Sequence, residues 1–134
     1  MVGEGKDMGG HGAPRKQFHH VGLRAIEKQP DENWVYQSKC WVTNPNDHLY
    51  RIEWLRYERD SPVAEEFRNE PHIAYVVDEL QPHLEGKEVI LQPFQVGEPY
   101  FATVAFTREH GLFVEYMKIR PGCTWFDGEN ATGP

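Results

Sequence analysis

The sequence contains only two cysteines, Cys40 and Cys123, in 134 residues. Two cysteines are too few for a disulfide framework or a cysteine-rich zinc module. The sequence also lacks any apolar run near the ~18 residues that a membrane-spanning helix requires. We therefore expect neither a disulfide-stabilised protein nor a membrane protein.

Basic residues are scarce as well: 14 Lys and Arg stand against 21 Asp and Glu, for a formal net charge of −7. No basic stripe interrupts this acidic balance, so we expect no binding to nucleic acid. The first twelve residues are glycine-rich and lack the apolar segment of a secretory signal, from which we expect a cytoplasmic protein.

Both ends of the chain are rich in small and polar residues and show no periodicity. They predict a flexible leader over residues 1–16 and a flexible tail over residues 127–134. The remaining residues, 17–126, are enough for one domain with one hydrophobic core.

Strands dominate the predicted secondary structure, because short alternating or β-branched segments are bounded by turn residues. The predicted strands are Phe18–Ala25, Cys40–Thr43, His48–Tyr57, His72–Val77, Glu88–Phe94, Tyr100–Phe106 and Leu112–Met117. Helices are predicted after the N-cap residue Ser61, over about Asp78–Glu85, and more weakly over Pro30–Gln37.

Two pairs of segments resemble each other and occur in the same order. His20-Val21-Gly22 matches His72-Ile73-Ala74 at an offset of 52 residues, and Arg51–Leu55 matches Phe113–Met117 with their glutamates 62 residues apart. Repeats at such spacing are typical of duplicated supersecondary units that bury a face against each other.

The histidines and glutamates of these repeats have two interpretations. A glutamate within an apolar strand either faces water on a half-exposed strand or is kept charged by a cation, since an unpaired buried carboxylate is costly. Histidines and carboxylates at matching places in two repeats favour a divalent metal such as zinc, nickel, manganese or iron(II). Four protein ligands in an octahedral shell would leave about two positions for water or substrate.

Three segments, Phe18–Leu23, Pro71–Leu80 and Leu112–Tyr116, resemble the vicinal oxygen chelate superfamily, which includes glyoxalase I, methylmalonyl-CoA epimerase, extradiol dioxygenases and bleomycin-resistance proteins. The resemblance covers about residues 18–118. It implies an α+β fold in which paired βαβββ modules form a curved, partly open mixed β-sheet with a metal on its concave face. Module one would span about residues 17–60, a linker helix about 61–70 and module two about 71–118.

The first module is short for a helix and three further strands, so we expect one strand to be missing or reduced. Residues 43–48 and 52–58 do not match the named enzymes, which indicates a divergent subfamily.

The resemblance also implies site residues, carried over by position. The implied metal ligands are His20, Glu53, His72 and Glu115, and either Glu115 or Glu53 would act as the catalytic base. Four residues on the same strand faces as the glutamates would form the pocket walls: Leu55, Tyr57, Phe113 and Met117.

We predict from this set a metal-dependent isomerase, lyase or epimerase that acts on a small oxygen-chelating substrate through enolate-type stabilisation. One alternative is an iron(II) dioxygenase of the extradiol type. Another is a non-catalytic, resistance-type protein that binds a small molecule through aromatic side chains, drawn from Trp34, Trp41, Trp54, Tyr57 and Tyr75. On resemblance we also expect a homodimer.

Other reactive side chains have structural interpretations. His48, His83 and His110 are predicted to be solvated. Cys40 is predicted to be a small buried hydrophobic residue.

Overall fold

The computed structural model describes residues 14–125. The predicted tail and the predicted leader, apart from its last three residues, lie outside the described residues. None of the helices in the described part of the chain has the length and apolar character needed to cross a bilayer.

Eight strands form one mixed sheet that is curled and open, as the resemblance implies. In chain order the strands are β1 Lys16–Arg24, β2 Asn33–Val35, β3 Cys40–Val42, β4 Ile52–Tyr57, β5 His72–Val77, β6 Glu88–Gly97, β7 Tyr100–Glu109 and β8 Leu112–Ile119. Their order across the sheet is β2-β3-β4-β1-β5-β8-β7-β6.

The register of the central strands repeats across the middle of the sheet. β1 runs parallel to β4 with Gly22 opposite Glu53, and β5 runs parallel to β8 with Ala74 opposite Glu115. β1 and β5 pair antiparallel, which sets His20 opposite Ala74 and Gly22 opposite His72. The two halves are therefore related by an approximate two-fold axis between β1 and β5.

The first module is shorter because it has no α-helix between β1 and β2, although a single-turn 3-10 helix spans Pro45–Asp47. All four of its strands are present, and β2 and β3 are reduced to three residues each. Residues 25–32, all of which the structure describes, connect β1 to β2 through bends and turns. The helix predicted over Pro30–Gln37 is wrong, because residues 33–35 pair with residues 40–42 and Trp34 packs on Trp41 at a ring distance of 4.9 Å. Cross-strand pairing overrides the local helical preference here.

The helices that do form are shorter than predicted. α1 spans Glu65–Asn69, and it begins late because the Ser61 side chain holds the preceding turn: its hydroxyl donates to the Ser38 carbonyl at 2.6 Å and accepts from the Val63 N–H at 3.1 Å. α2 spans Gln81–Leu84, with Pro82 in its first turn, where a missing N–H leaves no hydrogen bond unmade.

Two strands also differ from the prediction at their ends. β4 starts at Ile52 rather than His48, because Arg51 has a φ of 57° and turns the chain just before it. The β6–β7 hairpin is longer than predicted and turns after Gly97. A Cβ at Gly97 would lie 2.5 Å from the Phe101 ring, and the φ of this glycine is 92°, so only glycine fits there.

The sheet packs on both faces. The concave face holds the main core, which includes Phe101, Met117 and the fully buried Cys40, as predicted for that cysteine. On the convex face, α2 covers module two, and His83 is buried with its ring stacked 5.0 Å from Tyr116. The prediction that His83 is solvated is therefore wrong. The sequence of this short helix does not indicate that the face with His83 packs on the sheet.

Candidate metal centre

Four side chains from four adjacent strands converge on the concave face: His20 of β1, Glu53 of β4, His72 of β5 and Glu115 of β8. Their convergence follows from the register, because each histidine lies two residues from a small residue that is paired with the glutamate of the same module. Residues two apart on a strand share a face, so the histidine and glutamate of each module point the same way.

The four ligand atoms lie within 4.8 Å of one another. His20 Nε2 is 3.3 Å from Oε1 of both Glu53 and Glu115. His72 Nε2 is 3.2 Å from Glu115 Oε1 and 4.0 Å from Glu53 Oε1. Ligands bound at 2.0–2.2 Å to one ion stand about 3 Å apart at right angles and about 4 Å apart when opposite, so these separations fit a single metal ion.

Burial and hydrogen bonding support the same fit. Each of the four residues is at most 5% exposed. Within the described part of the chain, His20 Nε2, His72 Nε2 and Glu115 Oε1 are buried with no hydrogen-bond partner. Such atoms are costly to leave unsatisfied, and a cation between them would satisfy them all at once. The four side chains are thus positioned to hold a metal ion.

Electrostatics within the cluster is strong. Burial acts to lower the pKa of His20, but the adjacent carboxylates of Glu53 and Glu115 outweigh it and raise this pKa to about 10. Burial acts to raise the pKa of Glu115, but His20 and His72 lower it to about 2. Without a metal, the interactions in the cluster therefore favour the charged forms of His20 and Glu115.

Two further residues, Trp125 and His19, contact ligands of the cluster, and the sequence analysis assigned neither of them to the site. The Trp125 indole N–H donates to Glu53 Oε2 at 2.8 Å, which leaves Oε1 directed at the other ligands. His19 Nδ1 lies 2.8 Å from His20 Nδ1. The adjacency of His19 and His20 in the sequence could have indicated a contact between them. No pattern in the sequence predicts the contact between Trp125 and Glu53, which lie 72 residues apart.

The His72 ring is held on both sides. A Cβ at Gly22 would lie 2.1 Å from His72 Cε1, so the ring occupies space that only glycine leaves open. Phe67 of α1 stacks on the ring at 6.0 Å, and Phe106 meets it edge-on at 5.2 Å. The α1 helix therefore contributes to the site although it carries no ligand.

A small apolar cavity adjoins the centre. Its free space is about 50 Å³, room for a few water-sized groups. Glu53, His72 and Glu115 form its polar end. Among its apolar and aromatic lining residues are Leu55, Tyr57, Phe67, Leu91, Phe94 and Phe106.

The cavity includes only some of the predicted wall residues. Leu55 and Tyr57 line it, and burial raises the pKa of the Tyr57 hydroxyl. Phe113 and Met117 do not line it. They face the same side as Glu115 but are buried in the core, where Phe67 packs over Phe113 at 4.8 Å.

The other aromatic residues proposed for stacking lie elsewhere. Trp34 and Trp41 pack on each other, and Trp54 lines a separate surface cleft. Tyr75 packs against Phe18 at 6.4 Å. Of the five aromatic residues proposed for a binder, Tyr57 alone lines the cavity beside the candidate metal centre.

Comparisons with known proteins agree with the fold. No protein-family model matches the chain, and no curated protein matches it significantly. The crystal structure of a hypothetical protein from Bacillus halodurans is similar, with a TM-score of 0.61 at 18% sequence identity. The match covers 82% of this chain and 99% of the other. At this identity the likeness concerns the fold, so the chain shares with that protein a curled mixed sheet.

Proposed function

We propose that this protein is a metal-dependent isomerase, lyase or epimerase of the vicinal oxygen chelate type, acting on a small substrate that chelates through two oxygens. The observation that carries the proposal is the buried cluster of two imidazoles and two carboxylates, one of each from either half of a duplicated sheet. A cavity opens directly beside three of the four.

His20, Glu53, His72 and Glu115 would hold the ion. Their nitrogen and oxygen donors suit zinc, nickel, manganese or iron(II). When bound, such an ion supplies Lewis acidity that stabilises enolate-type negative charge on the substrate oxygens.

The chain itself supplies the base. Glu53 and Glu115 both face the cavity and come from opposite modules. Trp125 holds the second oxygen of Glu53, so Glu115 is our first candidate for taking a proton from the carbon next to a carbonyl. Two carboxylates at the polar end of one cavity also suit a reaction in which one removes the proton and the other returns it.

The cavity walls limit the substrate. They are mainly apolar, which lowers the local polarity and strengthens electrostatic interactions at the base. A cavity of about 50 Å³ beside the carboxylates suits a small reacting group.

The proposal is tested first by elemental analysis of the protein purified without a tag, alongside His72→Ala and the control His110→Ala, which removes an exposed histidine in a turn. We expect about one transition-metal ion per chain in the wild type and in the control, and a loss of at least tenfold in occupancy in His72→Ala. Undiminished metal in His72→Ala contradicts the site.

Catalysis is tested by the exchange of α-protons of hydroxyacetone in deuterated buffer, followed by NMR. We expect exchange with the metal-loaded wild type and at least a hundredfold slower exchange with Glu115→Gln reloaded with the same metal. Consumption of oxygen with catechol and iron(II) would instead support the dioxygenase. A protein that takes up no metal but binds small apolar compounds would support the non-catalytic binder, for which the apolar cavity is the favourable observation.

A further inference from the structure

The first strand carries a β-bulge next to the candidate metal centre. Phe18 pairs with Tyr75 and His20 pairs with Ala74, so His19 is an additional residue without a counterpart on β5. A bulge re-aims the side chains around it and interrupts strict alternation. The His19 ring is therefore buried, at 9% exposure, and lies against His20.

Once a metal binds His20, the contact between the His19 and His20 rings permits only one pair of tautomers. Their Nδ1 atoms are 2.8 Å apart, so one must carry a proton and the other must accept it. His20 Nε2 faces the carboxylates of Glu53 and Glu115 and is the atom that would bind the ion. A neutral histidine that ligates through Nε2 carries its proton on Nδ1.

We infer that His19 is a positioning residue, which accepts a hydrogen bond from His20 Nδ1–H and thereby fixes the tautomer and ring orientation of that ligand. The inference rests on the proposed metal site. It assigns to His19 the role that carboxylates, backbone carbonyls or waters usually have behind a ligating histidine. A neutral imidazole suits this position because it adds no charge to a site that already contains two carboxylates.

The surrounding contacts hold His19 in place. The Arg51 guanidinium donates from Nε to the His19 carbonyl oxygen and from a terminal nitrogen to Asn46, which ties the bulge to the turn before β4. The Trp125 ring packs edge-on against His19 at 5.8 Å. Backbone and ring are therefore both fixed before any ion binds.

The first test is the tautomeric state in the zinc-loaded wild-type protein, read from nitrogen-15 NMR of labelled histidines. We expect His20 to be protonated at Nδ1, and His19 to be protonated at Nε2 with Nδ1 bare. A proton on His19 Nδ1 overturns the inference. This measurement needs no variant and therefore does not depend on how a substitution affects folding.

The second test compares zinc affinity in two variants at the same position. His19→Leu removes the acceptor, and we expect a 10- to 100-fold weaker affinity. His19→Asn places an acceptor oxygen near the position of Nδ1, and we expect it to recover most of the loss. The matched control is His83→Leu, which removes a buried histidine on the convex face and should leave zinc affinity unchanged.

The outcomes separate the two proposals. Unchanged affinity in His19→Leu, or equal losses in His19→Leu and His19→Asn, overturns the role of His19 alone. A wild-type protein that binds no zinc, nickel, manganese or iron(II) refutes the proposed function, and the role of His19 with it.

Discussion

At the scale of single residues, the candidate centre depends as much on what surrounds the ligands as on the ligands. Gly22 leaves the space that the His72 ring occupies, and Phe67 stacks on that ring. Trp125 donates a hydrogen bond to one oxygen of Glu53, and the other oxygen faces the cluster. None of these three binds the ion in our proposal, yet each restricts one ligand. Substitutions at such positions should change metal affinity without removing a ligand.

Gly22→Ala is the sharpest of these changes. The new methyl group would lie 2.1 Å from His72 Cε1 and 2.4 Å from Nε2, so the ring must move. We expect zinc affinity to fall by at least tenfold, measured by calorimetry. Ala74→Gly, at the equivalent position of module two, removes a methyl group and should retain zinc binding. Equal affinities for wild type and Gly22→Ala would show that the ring position does not matter.

Protons should compete with the metal. In the metal-free protein, nearby carboxylates raise the pKa of His20 to about 10, so this ring is protonated at neutral pH and must lose a proton to bind an ion. Apparent zinc affinity should therefore rise with pH, by about tenfold per unit for each proton released, between about pH 6 and pH 8. Calorimetry in buffers with different ionisation enthalpies measures the release directly. Affinity that is independent of pH contradicts this picture of His20.

At the scale of elements, the two modules differ in how well their sheet is covered. α2 packs on the convex face of module two, whereas the described part of module one has no α-helix, and Leu23 and Trp54 remain partly exposed. At the module-one end of the sheet, the edge strand β2 and its neighbour β3 have three residues each. Short, uncovered edge strands open at lower free energy than central ones.

Hydrogen exchange should report this difference. We expect the amides of β2 and β3 to exchange at least tenfold faster than those of β5 and β8, which lie in the middle of the sheet. Mass spectrometry of peptides from a time course in deuterated buffer measures both regions in one sample. Similar protection of both pairs would contradict the inference that module one is the less stable half.

The elements also show which features a sequence reveals. The sequence predicts the strands that carry the ligands, because short alternating or β-branched segments are bounded by turn residues. The β-bulge at His19 is not predicted, since it depends on the register between β1 and β5 rather than on local pattern. Likewise, the helix predicted over Pro30–Gln37 failed because the preference of a short segment is weaker than its pairing with a neighbouring strand.

At the scale of the whole molecule, the proposed ion would join two halves of one chain. Its ligands span residues 20–115 and come from four strands. An ion bound to the native state and not to the unfolded chain stabilises the fold by about 2.7 kcal/mol at one hundred times its Kd.

Thermal unfolding should detect that stabilisation. We expect removal of metal by a chelator to lower Tm by roughly 10 °C relative to the zinc-loaded protein. The same treatment should leave the Tm of His72→Ala unchanged, because that variant has little metal to lose. If the chelator leaves the wild-type Tm unaltered, the cluster is not a metal centre under those conditions.

The crossed register of β1 and β5 makes the two halves of the cluster equivalent. Because His20 lies across from Ala74 and Gly22 across from His72, two identical half-length chains meeting along their first strands would create the same four-ligand arrangement.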